Sequence, residues 1–219
     1  MNFKQAHSSN FKVGRTQPIL YIVEHYTANN GDTAKNNADY FNRAVVKASA
    51  HYFVDENGVW QSVKDSDTAY HCGTTGTYKH PKCRNDNSIG IEMCSRKDAN
   101  GNYYFSEATI KNAANLTKEL MLKYNIPKEN VVRHYDVTGK ICPAPMVKNE
   151  VLWKEFKAML TSKQKLESGN DIIWELMNGK HKVKISEVKR AVTALDKAKN
   201  NHDYSSLYWI LYKLVNGND

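Results

Sequence analysis

The chain has 219 residues, of which 41% are hydrophobic and 25% charged, and carries a formal net charge of +8 at pH 7. Its length allows one domain of ordinary size and a small second one, and its composition excludes a disordered or collagen-like chain. No apolar run is long enough to cross a bilayer, and the opening MNFKQAHSSNFKVG lacks an apolar signal-peptide core, so Sec-type export is not expected. Cys72, Cys83, Cys94 and Cys142 are too few for a disulfide scaffold. A Cys72–Cys83 bridge is sterically conceivable, but free thiols are the expectation in a reducing compartment. The basic residues are scattered and form no nucleic-acid module, so the charge reads as general attraction to a polyanionic surface.

In chain order, the opening dozen residues are polar and read as a segment draped over the domain. The run Ile19 to Val23 is β-rich and continuous, as in a strand buried on both faces, and a loop follows His25. TAKNNADYFNRAVVK has Thr33 at an N-cap and apolar residues at Ala34, Ala38, Phe41 and Val45, which predicts a helix. His51–Asp55 and Val59–Val63 flank ENG as a hairpin. The stretch 65–87 is long, polar and glycine-bearing, more often a functional loop than an idle one. Ile89–Cys94 reads as a second core strand. Ser106 to Tyr124 is the clearest helix, with Ser106 as N-cap, Glu107 at the positive end of the dipole and Pro127 beyond its end. Val131 and Val132 form a short strand, and Leu152–Leu160 a closing helix. Strands alternating with helices predict an α/β fold: a central mixed β-sheet flanked by helices.

The stretch Arg133–Pro143, RHYDVTGKICP, puts His134 and Cys142 in one short glycine-containing loop. Imidazole and thiolate are both zinc ligands. A third must come from elsewhere, and His25, at the end of an apolar strand, is the best candidate. Either residue type alone is usually a packed side chain. Three protein ligands together leave zinc a fourth position for water, as catalytic sites do. Glu92 interrupts the second core strand. It is either the partner of a buried Arg or of a backbone cluster, or a carboxylate facing the metal, because burying it uncompensated is costly.

The segments IVEHYTA, SAHYFVDENGVWQ, AYHCG, NSIGIEMC and VVRHYDVTGKICPAP resemble, in that order, the zinc-dependent N-acetylmuramoyl-L-alanine amidases of the amidase-2 type. That family includes many phage endolysins and bacterial autolysins and shares its fold with peptidoglycan recognition proteins. The resemblance covers roughly residues 15 to 160. It implies Zn2+ held by His25, His134 and Cys142, with Glu92 as general base. Some relatives carry a tyrosine where this chain has Ala50, which gives Glu92 more weight. Lys140 matches a family position suited to stabilising the oxyanion of the attacked carbonyl. Asp136 fixes the loop or a ligand ring, or is simply an Asx-turn residue. His71 and Asn87 match segments near the groove and are expected to contact substrate. Tyr78 and His80 are open between loop packing and glycan contact.

The resulting expectation is a peptidoglycan hydrolase cutting between N-acetylmuramic acid and L-alanine, with residues 1–160 as catalytic domain and 161–170 as linker. Residues 171–219 read as a small all-α module that binds the cell wall, with oligomerisation as its alternative use. The segments DIIWELMNGK, ISEVKRAVTALDKAKNN and SSLYWILYKLVNG are amphipathic at helical spacing. A phage or prophage endolysin made in the host cytoplasm and acting on the wall after release fits the N-terminus best. The alternative is a non-catalytic peptidoglycan-binding protein of the same fold, which would lack a full ligand set. Specific nucleic-acid binding would rest on net charge alone.

Overall fold

The computed structural model describes residues 2–161. The proposed linker beyond Thr161 and the C-terminal helices lie outside them. The elements in order are β1 (Asn2–Phe3), β2 (Phe11–Lys12), β3 (Tyr21–Tyr26), α1 (Ala34–Arg43), β4 (Tyr52–Asp55), β5 (Gly58–Gln61), β6 (Thr68–Ala69), β7 (Ser88–Met93), β8 (Arg96–Lys97), β9 (Tyr103–Tyr104), α2 (Glu107–Lys123), β10 (Val131–Arg133), α3 (His134–Thr138), α4 (Ala144–Lys148) and α5 (Glu150–Met159). Six strands form one sheet in the order β1-β5-β4-β7-β3-β10. Only the β4–β5 hairpin pairs antiparallel, so the sheet is mixed, as expected.

The central strands β3 and β7 pair in parallel over their whole length, from Tyr21 opposite Ser88 to Tyr26 opposite Met93. Aligned residues on neighbouring strands share a face. Ile22, Ile89, Ile91, Met93 and Val131 point to one face and pack against Ile110, Ala113, Leu116 and Leu120 of α2 and Trp153 and Phe156 of α5. Tyr21 and Val23 point to the other, where they meet Val132, Val137, Cys72 and Cys83. Phe53 on that second face is covered by Ala34 and Ala38 of α1. Burial on both faces explains the continuous apolar runs of β3 and β10.

The helix starts follow their caps. The Thr33 side chain accepts from the Asn36 amide and Asn36 reciprocates, a capping box for α1. Ser106 accepts from the Thr109 amide and opens α2 as read from sequence. Helix α1 is shorter than the apolar spacing suggested: Ala44 is extended, Lys47 has φ +52°, and Val45 lies exposed. The draped opening residues include β1, which pairs in parallel with β5 at the sheet edge. Among the described residues no helix is long and apolar enough to cross a membrane. Ser106→Ala removes the α2 cap and is expected to lower the unfolding free energy by about 1 kcal/mol in urea denaturation.

Candidate metal centre

His25 lies near the carboxyl end of β3, and its Cα partner on β7 is Glu92. His134 immediately follows β10, which pairs with β3 on the other side. Functional groups at the carboxyl ends of parallel strands converge outside the sheet. The sequence placed His134 in a loop, but it is the first residue of α3. That helix is a single short turn because Gly139 ends it at φ +86°, a left-handed conformation that suits glycine. The chain then doubles back. The Cys142 carbonyl accepts from the Tyr135 amide at 2.9 Å, which sets the thiol beside the first turn of α3.

The ligating atoms of His25, His134 and Cys142 all lie within 4.8 Å of one another, and all three residues are buried. Cys142 Sγ is 3.6 Å from His25 Nδ1. The rings of His25 and His134 meet edge-on with centroids 4.7 Å apart. Neither ring nitrogen of His134 has a hydrogen-bond partner although both are buried. Buried polar atoms are normally paired, so an imidazole with unpartnered nitrogens clustered with a thiol and a second imidazole fits a bound cation.

Burial drives the electrostatics. It pushes the His25 pKa well below the ordinary imidazole value, with His134, His71, Lys140 and His51 adding to the effect. His134 is pushed down to about 4, by burial first and then by Lys140. Burial, with the neighbouring Glu92 adding to it, raises the Cys142 thiol to about 12. Glu92 is itself raised to about 8 by burial, opposed by Lys140. One of its carboxylate oxygens is buried without a partner. Lys140 is exposed, yet its charge acts on His25, His134, Glu92 and Cys142 alike.

Asp136 supports the loop rather than a ligand ring. Its carboxylate accepts from the Arg133 backbone amide at 2.9 Å and from the Arg133 side chain at 3.1 and 3.0 Å. Arg133 also donates to the Met146 carbonyl and to Glu150, so this ion network clamps both ends of the segment carrying His134 and Cys142. Asn87 is engaged internally. Its amide nitrogen donates to the Lys82 carbonyl and its oxygen accepts from the Arg84 amide. His71 has both ring nitrogens in contact with protein partners, His25 and Ser88. Tyr78 lies under the Arg84 guanidinium and His80 packs on Tyr21, so both serve loop packing.

Sequence reasoning missed Ser88, Arg133 and Glu24. Glu24 is fully buried on the opposite face, with Thr117 donating to one oxygen at 2.7 Å, and burial raises it to about 8. It also missed the reason for Gly90. Glycine inside a strand often marks close approach by another group, and that signal was available. All four cysteines are free and buried, so Cys72 and Cys83 are unpaired thiols.

These features define a mixed-sheet domain with a two-imidazole, one-thiol centre and an adjacent half-buried carboxylate at the carboxyl ends of its central strands. A family model described as N-acetylmuramoyl-L-alanine amidase matches residues 15–145. The chain belongs to that family. The N-acetylmuramoyl-L-alanine amidase CwlL of Bacillus licheniformis is 37% identical over 150 residues, which span 64% of this chain but 40% of CwlL. The structure of PlyL is 29% identical with a TM-score of 0.61, covering 74% of this chain and 97% of that one. The catalytic domain of XlyA is 30% identical with a TM-score of 0.59, covering 73% and 99%.

Replacing Asp136 with alanine leaves Arg133 short of three hydrogen bonds. It is expected to cost about 2 kcal/mol of stability in chemical denaturation, as for hydrogen bonds to charged groups.

Proposed function

We propose that the protein is a zinc-dependent N-acetylmuramoyl-L-alanine amidase that hydrolyses the amide between N-acetylmuramic acid and the L-alanine of the stem peptide. One observation carries the reading: three donor atoms of suitable type converge within 4.8 Å while both nitrogens of His134 have no partner in the protein. Tetrahedral zinc separates a nitrogen and a sulfur ligand by about 3.6 Å. His25 Nδ1 and Cys142 Sγ are 3.6 Å apart. His25, His134 and Cys142 would hold the ion, and zinc supplies a Lewis acid and a water of lowered pKa.

The remaining chemistry belongs to side chains of this chain. Glu92 accepts a proton from the attacking water at its buried carboxylate and delivers it to the leaving amine nitrogen of L-alanine. The positive charge of a cation beside it counteracts its burial and favours the ionised carboxylate needed for the first step. Lys140, exposed and close enough for its charge to act on all three ligands, would supply an ammonium to the carbonyl oxygen as it gains charge during attack. Ala50 offers no hydroxyl at the position where some relatives have tyrosine, which gives Glu92 more weight as the proton carrier.

The protein is read as an endolysin-type enzyme, made in the host cytoplasm and acting on the wall after release. Residues 171–219 serve as a wall-binding module joined by a linker at 161–170, which would raise the effective concentration of enzyme at an insoluble substrate. Polymers of the wall are the partner class that suits a chain with net charge +8.

Full-length protein with one equivalent of zinc is expected to clear suspensions of purified walls, and to stop when a chelator removes the metal. The new ends should be free L-alanine amines; new reducing sugar ends instead would overturn the assignment. Glu92→Gln should keep its zinc and lose about 10²–10⁴-fold in rate, and Lys140→Ala about 10²–10³-fold. Full lytic activity in the zinc-loaded Glu92 variant would remove Glu92 from the mechanism. Deleting residues 162–219 should leave cleavage of soluble muropeptides intact and weaken sedimentation with walls.

A further inference from the structure

His71 resembles a substrate contact in sequence, but the structure assigns it another task. We propose that His71 and Ser88 form a positioning relay that holds His25 in one tautomer and presents its Nδ1, not its Nε2, to the metal. The inference rests on the reading of His25, His134 and Cys142 as metal ligands.

The direction of the relay follows from its far end. Ser88 Oγ lies 2.6 Å from the Arg84 carbonyl, which can only accept, so the serine hydroxyl donates there. The hydroxyl hydrogen is then committed, and Ser88 Oγ faces His71 Nε2 at 3.1 Å as an acceptor. His71 must therefore carry its proton on Nε2 and leave Nδ1 as a lone pair. That Nδ1 is 3.0 Å from His25 Nε2, which must in turn donate. In a neutral imidazole a proton on Nε2 leaves Nδ1 bare. Bare Nδ1 is the atom of His25 that faces Cys142 Sγ. Every donor along the path meets an acceptor.

The ring is also held mechanically. A Cβ on Gly90 would sit 2.5 Å from His71 Cγ and 2.7 Å from its Nδ1, so the imidazole lies directly on the bare backbone of β7. On its other sides it meets the edges of His25 and His51, with centroids 5.1 and 5.6 Å away. Ser88, Gly90 and Glu92 alternate along one face of β7. A single strand thereby supplies the end of the relay, the seat of its ring and the catalytic carboxylate. Hydrogen bonds of this kind orient metal-bound histidines, and losing one typically costs about 10–100-fold in metal affinity.

Long-range ¹⁵N–¹H spectra of the full-length protein read the tautomers directly. In metal-free protein both His25 and His71 should carry the proton on Nε2, and on adding zinc His25 should coordinate through Nδ1. Either ring in the opposite tautomer, or zinc on His25 Nε2, overturns the inference alone. Zinc that leaves the His25 and His134 resonances unmoved overturns the metal reading and the inference with it. Competition against a chromophoric chelator should show zinc affinity about 10–100-fold weaker in Ser88→Ala and in His71→Phe, which keeps a ring but offers no acceptor. Affinities within twofold of the parent would sink the relay. Should either variant fail to fold, the tautomers of the parent protein still decide.

Discussion

The parallel pairing of β3 with β7 is the constraint from which the site follows. Its register sets His25 beside Glu92, Val23 beside Gly90 and Tyr21 beside Ser88. Because side chains alternate across a strand, a slip of one residue would turn all of them to the opposite face, into the packing of α2 and α5. The apolar residues between them, Ile22, Ile89, Ile91 and Met93, are fully buried and resist that slip. The hydrophobic core and the chemistry are thus specified by the same two strands, read from their two faces.

The centre is assembled against the preferences of its parts. Burial favours neutral imidazole on His25 and His134, the thiol form of Cys142 and the protonated form of Glu92. A divalent cation held there would invert the preference for the thiol and the carboxyl group, so binding it would release protons. Lys140, on the exposed side, supplies a positive charge that discourages protonation of the histidines and favours the anionic forms of Cys142 and Glu92. The Arg133–Asp136–Glu150 network, by contrast, pairs Arg133 with two carboxylates and holds the ligand-bearing segment in place.

Much of this was legible in the sequence. The continuous apolar runs marked β3 and β7, the Ser106 cap marked α2, and the ligand trio was drawn from two separate stretches before any geometry. The parts that were not legible depend on where hydrogen bonds go. Asn87 and His71 look like polar residues free to meet a substrate, yet Asn87 is engaged by neighbours three and five residues away and His71 by partners 17 and 46 residues away. The shortness of α3 depends on the backbone angle of Gly139 and the return of Cys142, which no periodicity reports. The two-residue strands β1, β2, β6, β8 and β9 are too brief to leave a pattern.

All four sulfhydryls lie inside the folded unit, and one of them sits at the proposed metal position. A thiol-directed reagent applied to the native protein therefore reaches its targets through opening of the structure rather than at the surface. The rate of alkylation becomes a clock for those openings, and an ion bridging Cys142 to two histidines would slow that clock at one sulfur more than at the other three.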